Sequence, residues 1–191
     1  MPLRSPVDVH GAAWVPDAER IATSNMSHFC TAMEARWGRT FDDYDALHAW
    51  SVEHLDEFWS GLWDFTGIVA QSKGEEVLKQ GATIESVRWF PDARLNFAEN
   101  LLRFRGDADA LVFWGEDKVK RRLSRDELYT AVARVAAALR ARGVKAGDRI
   151  AAYMPNSPDA VVAMLAAASI GAIFSSASPD FGPQGIIDRF G

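Results

Sequence analysis

Cysteine is nearly absent from this 191-residue sequence: Cys30 stands alone, so no intramolecular disulfide can form. That usage fits a reducing compartment. A lone thiol becomes a nucleophile only beside a base that stabilises the thiolate. His28, two positions away in a stretch with helical pattern, points to a different side, so Cys30 reads as a buried, inert group. The four histidines, His10, His28, His48 and His54, lack HExxH or Cys/His ligand spacing, and no metal site is expected. No apolar run reaches the ~18 residues of a membrane span. The nearest, Ala160 to Ala177, has the β-branched and glycine content of a buried helix running into a strand. Met1 to His10 lacks the apolar stretch and cleavage site of a signal peptide, so the expected location is cytoplasmic. Positive charge is not in excess either. The net charge of −5 gives no reason to expect nucleic acid or an anionic membrane as partner. The densest basic run, Lys118 to Arg125, surrounds an expected hairpin and reads as a solvated turn.

The familiar catalytic loops are missing as well. There is no GxxxxGK[ST], no GxGxxG after a strand and no GxSxG elbow. Asp42, Asp43 and Asp45, or Asp56 and Glu57, make carboxylate pairs on paper, but solvated helix starts explain them, and no catalytic residue is assigned.

What the sequence does have is tryptophan. Six of its seven precede residue 90. Leu55, Phe58, Trp59, Leu62 and Trp63 follow i, i+3, i+4, i+7, i+8, which predicts one apolar helical stripe, with Ser51 as N-cap and Gly67 as stop. Earlier helices are expected over Met26 to Trp37 and Tyr44 to Trp50. Aromatic stripes of this kind pack against other surfaces. Residues 71–93 read as loop and short extended structure. Asn96 and Glu99 then form a capping-box pattern, predicting a helix that Gly106 ends.

From Ala108 the rhythm changes to strand, hairpin, helix, strand, helix, strand. Leu111–Trp114 and Val119–Leu123 make the hairpin around Gly115–Lys118, and Ser124 with Glu127 caps a helix closed by Gly143. Arg149–Met154, a helix from Pro158 to Ile170 capped by Ser157, and Ala172–Ser175 form a βαβ unit with parallel strands, expected to be apolar on both faces. The turn Met154-Pro155-Asn156-Ser157-Pro158 holds two prolines, which remove N–H donors that a phosphate would need. Ser175-Ser176-Ala177-Ser178-Pro179-Asp180-Phe181-Gly182-Pro183 follows the carboxyl end of the last strand, where open α/β sheets place ligands. A helix from Pro183 to Phe190 would begin at that loop. A plain connector capped by Ser or Asp is the other reading.

These segments resemble a known family. Asp148-Arg149-Ile150-Ala151-Ala152-Tyr153-Met154-Pro155-Asn156, the alanine-rich helix and Gly171-Ala172-Ile173-Phe174-Ser175-Ser176 are similar to the amino-terminal subdomain of adenylate-forming acyl-CoA synthetases. Trp89-Phe90-Pro91-Asp92-Ala93-Arg94-Leu95-Asn96-Phe97-Ala98-Glu99-Asn100, with Ser178 to Gly182, resembles the acetoacetyl-CoA synthetase branch more than the acetyl-CoA synthetase branch. The resemblance implies an α/β fold, an incomplete amino-terminal subdomain of an adenylate-forming enzyme with a parallel βαβ core. Residues 1–93 would be a Trp-rich helical extension and residues 94–191 the start of the AMP-binding domain. It implies an acid–thiol ligase that uses ATP and Mg²⁺ to make an acyl-adenylate and passes the acyl group to CoA, with acetoacetate as substrate. The family's phosphate loop, its adenine and ribose motifs and its catalytic lysine find no match in this chain, so the rest of the same enzyme is expected to pack on this piece. Only the loop after Ser176 carries over: Ser178, Asp180 and Phe181 would lie near CoA, although relatives show Gly-Gly-Phe where this chain has Pro179-Asp180-Phe181. The alternatives are another short-chain ligase, such as an acetyl- or propionyl-CoA synthetase, and a non-catalytic interaction module. The chain end at Gly191, just after an expected helix, reads as a truncation.

Overall fold

The computed structural model describes residues 14–116 and 118–191. Met1 to His10, its histidine and Asp117 of the hairpin turn therefore lie outside the described residues. The chain divides between Arg94 and Leu95 into two compact units.

The first unit holds helices α1 (Ala18–Ala22), α2 (Asn25–Trp37), α3 (Tyr44–Glu53) and α4 (Leu55–Thr66), then a small antiparallel pair, β1 (Leu78–Lys79) and β2 (Arg88–Trp89). Ser24 and Asp43 cap α2 and α3 through their side chains, and Gly38 and Gly67 close α2 and α4 in the left-handed conformation. Ser51 is not the N-cap of α4. It lies inside α3, where its hydroxyl donates to the carbonyl of His48 at 2.7 Å. The break between the two helices falls at His54, a backbone turn without a side-chain cap.

The core of this unit is Phe29, Cys30, Met33, Phe41, Leu47 and Trp50, with Trp37, Phe58 and Leu62 packed on it. Burying each large apolar side chain of this kind stabilises by roughly 1.5–3 kcal/mol. The stripe residue Phe58 meets Phe29 and Trp50 edge-on, with centroids 5.7 and 5.6 Å away. The indole of Trp50 donates to Glu57 at 2.9 Å, and Arg39 pairs with the same carboxylate at 3.1 Å. Across the unit, Arg36 and Lys73 both reach Asp64, at 2.7 and 2.8 Å. Lys73 also donates to the carbonyl and hydroxyl of Ser60, tying the loop after α4 back onto that helix.

The second unit holds α5 (Phe97–Leu101), the antiparallel hairpin β3 (Asp109–Gly115) and β4 (Val119–Ser124), α6 (Arg125–Ala141), β5 (Arg149–Tyr153), α7 (Pro158–Ser169), β6 (Ile173–Ala177) and α8 (Gly182–Phe190). α6 starts with a complete capping box between Ser124 and Glu127. α5 stops at Leu101, well short of Gly106, because the chain turns to bury Leu102 beside Ala98. Ser157 occupies the N-cap position of α7 without a side-chain bond, and Pro158 supplies the first helical residue. The amide of Asn96 caps α5 through Glu99 N at 3.1 Å and also donates to the carbonyl of Ala168 at 2.9 Å, pinning α5 to the end of α7.

β5 and β6 are parallel, in register from Arg149 opposite Ile173 to Tyr153 opposite Ala177, with α7 as their crossover. The fold is thus a mixed α and β structure with a parallel βαβ core. The strands are not apolar on both faces. Ile150, Ala152, Phe174 and Ala177 are at least half-buried, whereas Arg149, Tyr153, Ile173 and Ser175 are exposed. Among the described residues only these two strands pair here, and no second layer covers the other face.

Candidate functional site

β5 and β6 end together, and their paired ends carry the candidate site. The backbone N–H of Met154 donates to the carbonyl of Ala177 at 3.2 Å, extending the pairing one step past Tyr153. Beyond Ala177 the chain makes a single 3₁₀ turn, Pro179–Phe181, and enters α8 through Gly182. Gly182 has φ of +65°, which a side chain would strain, so glycine is required at the junction.

Ser178 is the N-cap of the turn. Its hydroxyl donates to the Asp180 carboxylate at 2.7 Å and accepts from the Asp180 N–H at 3.4 Å, while the Phe181 N–H donates to the Ser178 carbonyl at 3.2 Å. Ser178 and Asp180 therefore satisfy each other. Phe181 is half exposed, and the guanidinium of Arg189, one helical span later, lies 4.0 Å over its ring. The Arg189 side chain is steadied by donating to the carbonyl of Gly185 at 2.9 Å. The structure thus brings Ser178, Asp180 and Phe181 into one turn, with a π-face open to solvent and a cation beside it.

Two participants escaped the sequence. The Tyr153 hydroxyl donates to the carbonyl of Pro179 at 2.8 Å, joining the end of β5 to the turn. Arg189 is the other. Residues 26 and 8 positions apart in the two contacts share no short motif, so only the parallel register could have brought Tyr153 to the turn.

Two of the acidic candidates, Asp43 and Glu57, have structural partners. Asp43 caps α3, and Glu57 holds Trp50 and Arg39. Burial pushes Asp64 upward, but hydrogen bonds from Lys73 and Arg36 outweigh it and hold the carboxyl below its ordinary range. Burial, then the charge of Glu34, raises the Cys30 thiol, which favours its neutral form. No group of three or more His, Cys, Asp or Glu suited to a metal ion occurs among the described residues. The β5–α7 turn carries Pro155 and Pro158 where a phosphate would need N–H donors. The Phe181 turn presents an open ring beside a positive charge. An apolar cavity of about 340 Å³ in the first unit lies among Trp59, Trp63, Trp89 and Phe90. No helix among the described residues is long and apolar enough to cross a membrane.

A parallel βαβ unit ending in a capped turn belongs to the α/β class, and comparison with known proteins makes it specific. Residues 97–190 match the family described as AMP-binding enzyme, and residues 44–101 match acetyl-coenzyme A synthetase N-terminus. The chain is homologous to acetoacetyl-CoA synthetases of the AMP-binding enzyme family. It is 53% identical over 178 residues to acetoacetyl-coenzyme A synthetase of Rhizobium meliloti (strain 1021), covering 93% of this chain and 27% of that protein. It is 47% identical over 180 residues to acetoacetyl-CoA synthetase of Macaca fascicularis, covering 93% and 26%. Its structure superposes on that of acetoacetyl-CoA synthetase from Streptomyces lividans with a TM-score of 0.84 and 40% identity, over 93% of this chain and 28% of that one. The chain spans about a quarter of the length of the curated relatives it matches.

Proposed function

We propose that this chain is the amino-terminal part of an acetoacetate–CoA ligase, residues 1–93 forming its helical extension and residues 94–191 the start of its AMP-binding domain. The observation that carries this reading is 53% identity, sustained over 93% of the chain, to an acetoacetyl-coenzyme A synthetase. Such a ligase joins acetoacetate to ATP with Mg²⁺, releasing pyrophosphate, and then transfers the acyl group to the CoA thiol, releasing AMP. Adenylation turns a poor leaving group into a good one, and fixed charges and dipoles stabilise the phosphoryl transfer.

In this reading the 191 residues supply scaffold, and the ATP- and Mg²⁺-binding groups belong to the remaining three quarters of the enzyme's length. The chain's 26–27% share of the relatives' length supports that division. The turn of Ser178, Asp180 and Phe181 lies on the CoA side. Its place at the carboxyl end of β6 supports this assignment, as does the half-open ring of Phe181. The soluble character of such a ligase suits the cytoplasm.

Acetoacetate-dependent pyrophosphate exchange tests the proposal. The polypeptide extended to the relatives' full length is expected to exchange pyrophosphate into ATP with acetoacetate, and more slowly with acetate or propionate. The 191-residue chain alone is expected to give no exchange. Exchange by that chain alone would overturn the division of labour, and a preference for acetate would overturn the substrate.

A further inference from the structure

Tyr153 is the one side chain at the end of β5 that reaches the turn carrying Phe181. It stands opposite Ala177 in the parallel register, and its hydroxyl donates to the Pro179 carbonyl at 2.8 Å. About half of its surface remains in solvent, so it is not held there by burial in the core. The bond is also not one the turn needs in order to close. The turn closes locally, through Phe181 N–H to Ser178 carbonyl and through the Ser178–Asp180 pair. What those local bonds leave open is the tilt of the closed turn relative to the sheet.

Two links set that tilt. One is the backbone, through the Met154 N–H on the Ala177 carbonyl. The other is the Tyr153 hydroxyl, which acts two residues farther along, on the first residue of the 3₁₀ turn. Past that point Gly182, with φ of +65°, joins the turn to α8 without a side chain to stiffen the joint. A rigid phenol arm from the sheet therefore fixes the position of Phe181, while the bonds inside the turn fix its shape.

We infer that Tyr153 is a positioning residue for the CoA-side turn, holding the Phe181 ring where the second half-reaction uses it. This rests on the reading that the turn of Ser178, Asp180 and Phe181 faces CoA. Tyr153 acts through the turn and not on a reacting atom. Its effect falls on thiol-substrate binding and spares adenylation, because its hydroxyl bonds to the turn.

The test is Tyr153→Phe, which removes one oxygen and keeps the ring. In the full-length ligase the Michaelis constant for CoA is expected to rise roughly three- to tenfold, the loss of one hydrogen bond. Acetoacetate-dependent pyrophosphate exchange should stay within about twofold of the parent, a split that a general loss of structure would not give. An equal loss in both half-reactions overturns the inference, as does an unchanged constant for CoA together with an unchanged turn. A second arm is independent of any activity: hydrogen exchange measured on the 191-residue chain. Tyr153→Phe should speed exchange in Pro179–Phe190 and leave β5 and β6 protected. If exchange there is unchanged, the tether fails whatever the kinetics show. If the turn loosens while the CoA constant stays level, the tether stands and the CoA-side reading of the turn is what fails.

Discussion

At the scale of single residues, the strongest constraint is the contact between Gly61 and Met33. Gly61 is buried on α4, and a Cβ there would be driven into the sulfur of Met33, itself only 3% exposed. Replacing an interior helical glycine by alanine normally stabilises by about 1 kcal/mol. Overpacking costs roughly 1–3 kcal/mol, and here it is expected to win because the Met33 side chain it displaces is buried in the core. Gly61→Ala is expected to lower stability by about 1 kcal/mol in a urea melt, and adding Met33→Ala should reverse the sign of the glycine effect. The Arg36–Asp64–Lys73 cluster gives a second expectation at this scale. Asp64 has a lowered folded-state pKa, so its contribution is present above the ordinary carboxylate value of 3.8 and is lost as pH falls through the folded value. Asp64 is 45% exposed, so screening holds the effect to no more than about 1 kcal/mol. Lys73→Met should lower the melting temperature at pH 7 and flatten its fall between about pH 4 and pH 2. A parallel fall in both proteins would assign the acid sensitivity to other carboxylates. Some of this scale was legible beforehand. Cys30 as a buried thiol followed from its helical neighbours, whereas Lys73 reaching Asp64 depends on how the loop after α4 folds back, which no spacing encodes.

At the scale of elements, boundaries written in capping chemistry were readable and boundaries made by backbone turns were not. Ser124 and Glu127 gave the start of α6 because the reciprocal bonds are local. The α3–α4 break at His54 carries no polar cap, and the stripe from Leu55 to Trp63 fits a helix beginning at Ser51 equally well. The early end of α5 was hidden for a related reason: burying Leu102 is a tertiary gain that overrides a helical pattern. Asn96 combines both kinds of information. Its carbonyl oxygen makes the cap that the sequence predicts, and its amide makes a bond to Ala168, 72 positions away, that the sequence does not. Ser124→Ala, losing a cap alone, is expected to cost about 1 kcal/mol. Asn96→Ala, losing the cap and also the amide bond to the Ala168 carbonyl, which keeps the Gly171 N–H, should cost about 2 kcal/mol. Denaturant melts of the two variants decide it, and equal costs would mean that the link to α7 contributes nothing.

At the scale of the whole molecule, the parallel βαβ core was legible because a strand, an alanine-rich helix and a second strand admit few other arrangements. What the sequence could not supply was the covering of that core. Parallel strands were expected to be apolar and buried on both faces, and one face of β5 and β6 lies open, with Ile173 57% exposed. The outer face of the hairpin repeats the pattern. Val112 and Trp114 are 51% and 66% exposed, and Lys120 lies 4.5 Å over the indole ring. We propose that these faces receive the rest of the ligase, and the 191-residue chain should meanwhile behave as a folded protein with accessible apolar surface. Such a chain is expected to enhance the fluorescence of an apolar dye such as ANS while still melting cooperatively. Trp114→Ser combined with Ile173→Ser should cut the dye signal by about half or more, and exposed substitutions of this kind shift stability by only about 0.5 kcal/mol each. An unchanged signal would place the accessible surface elsewhere, for which the Trp59–Trp89 cavity of the first unit is the next candidate, and a loss of cooperative melting would mean that these side chains support the fold and do not merely line its open faces.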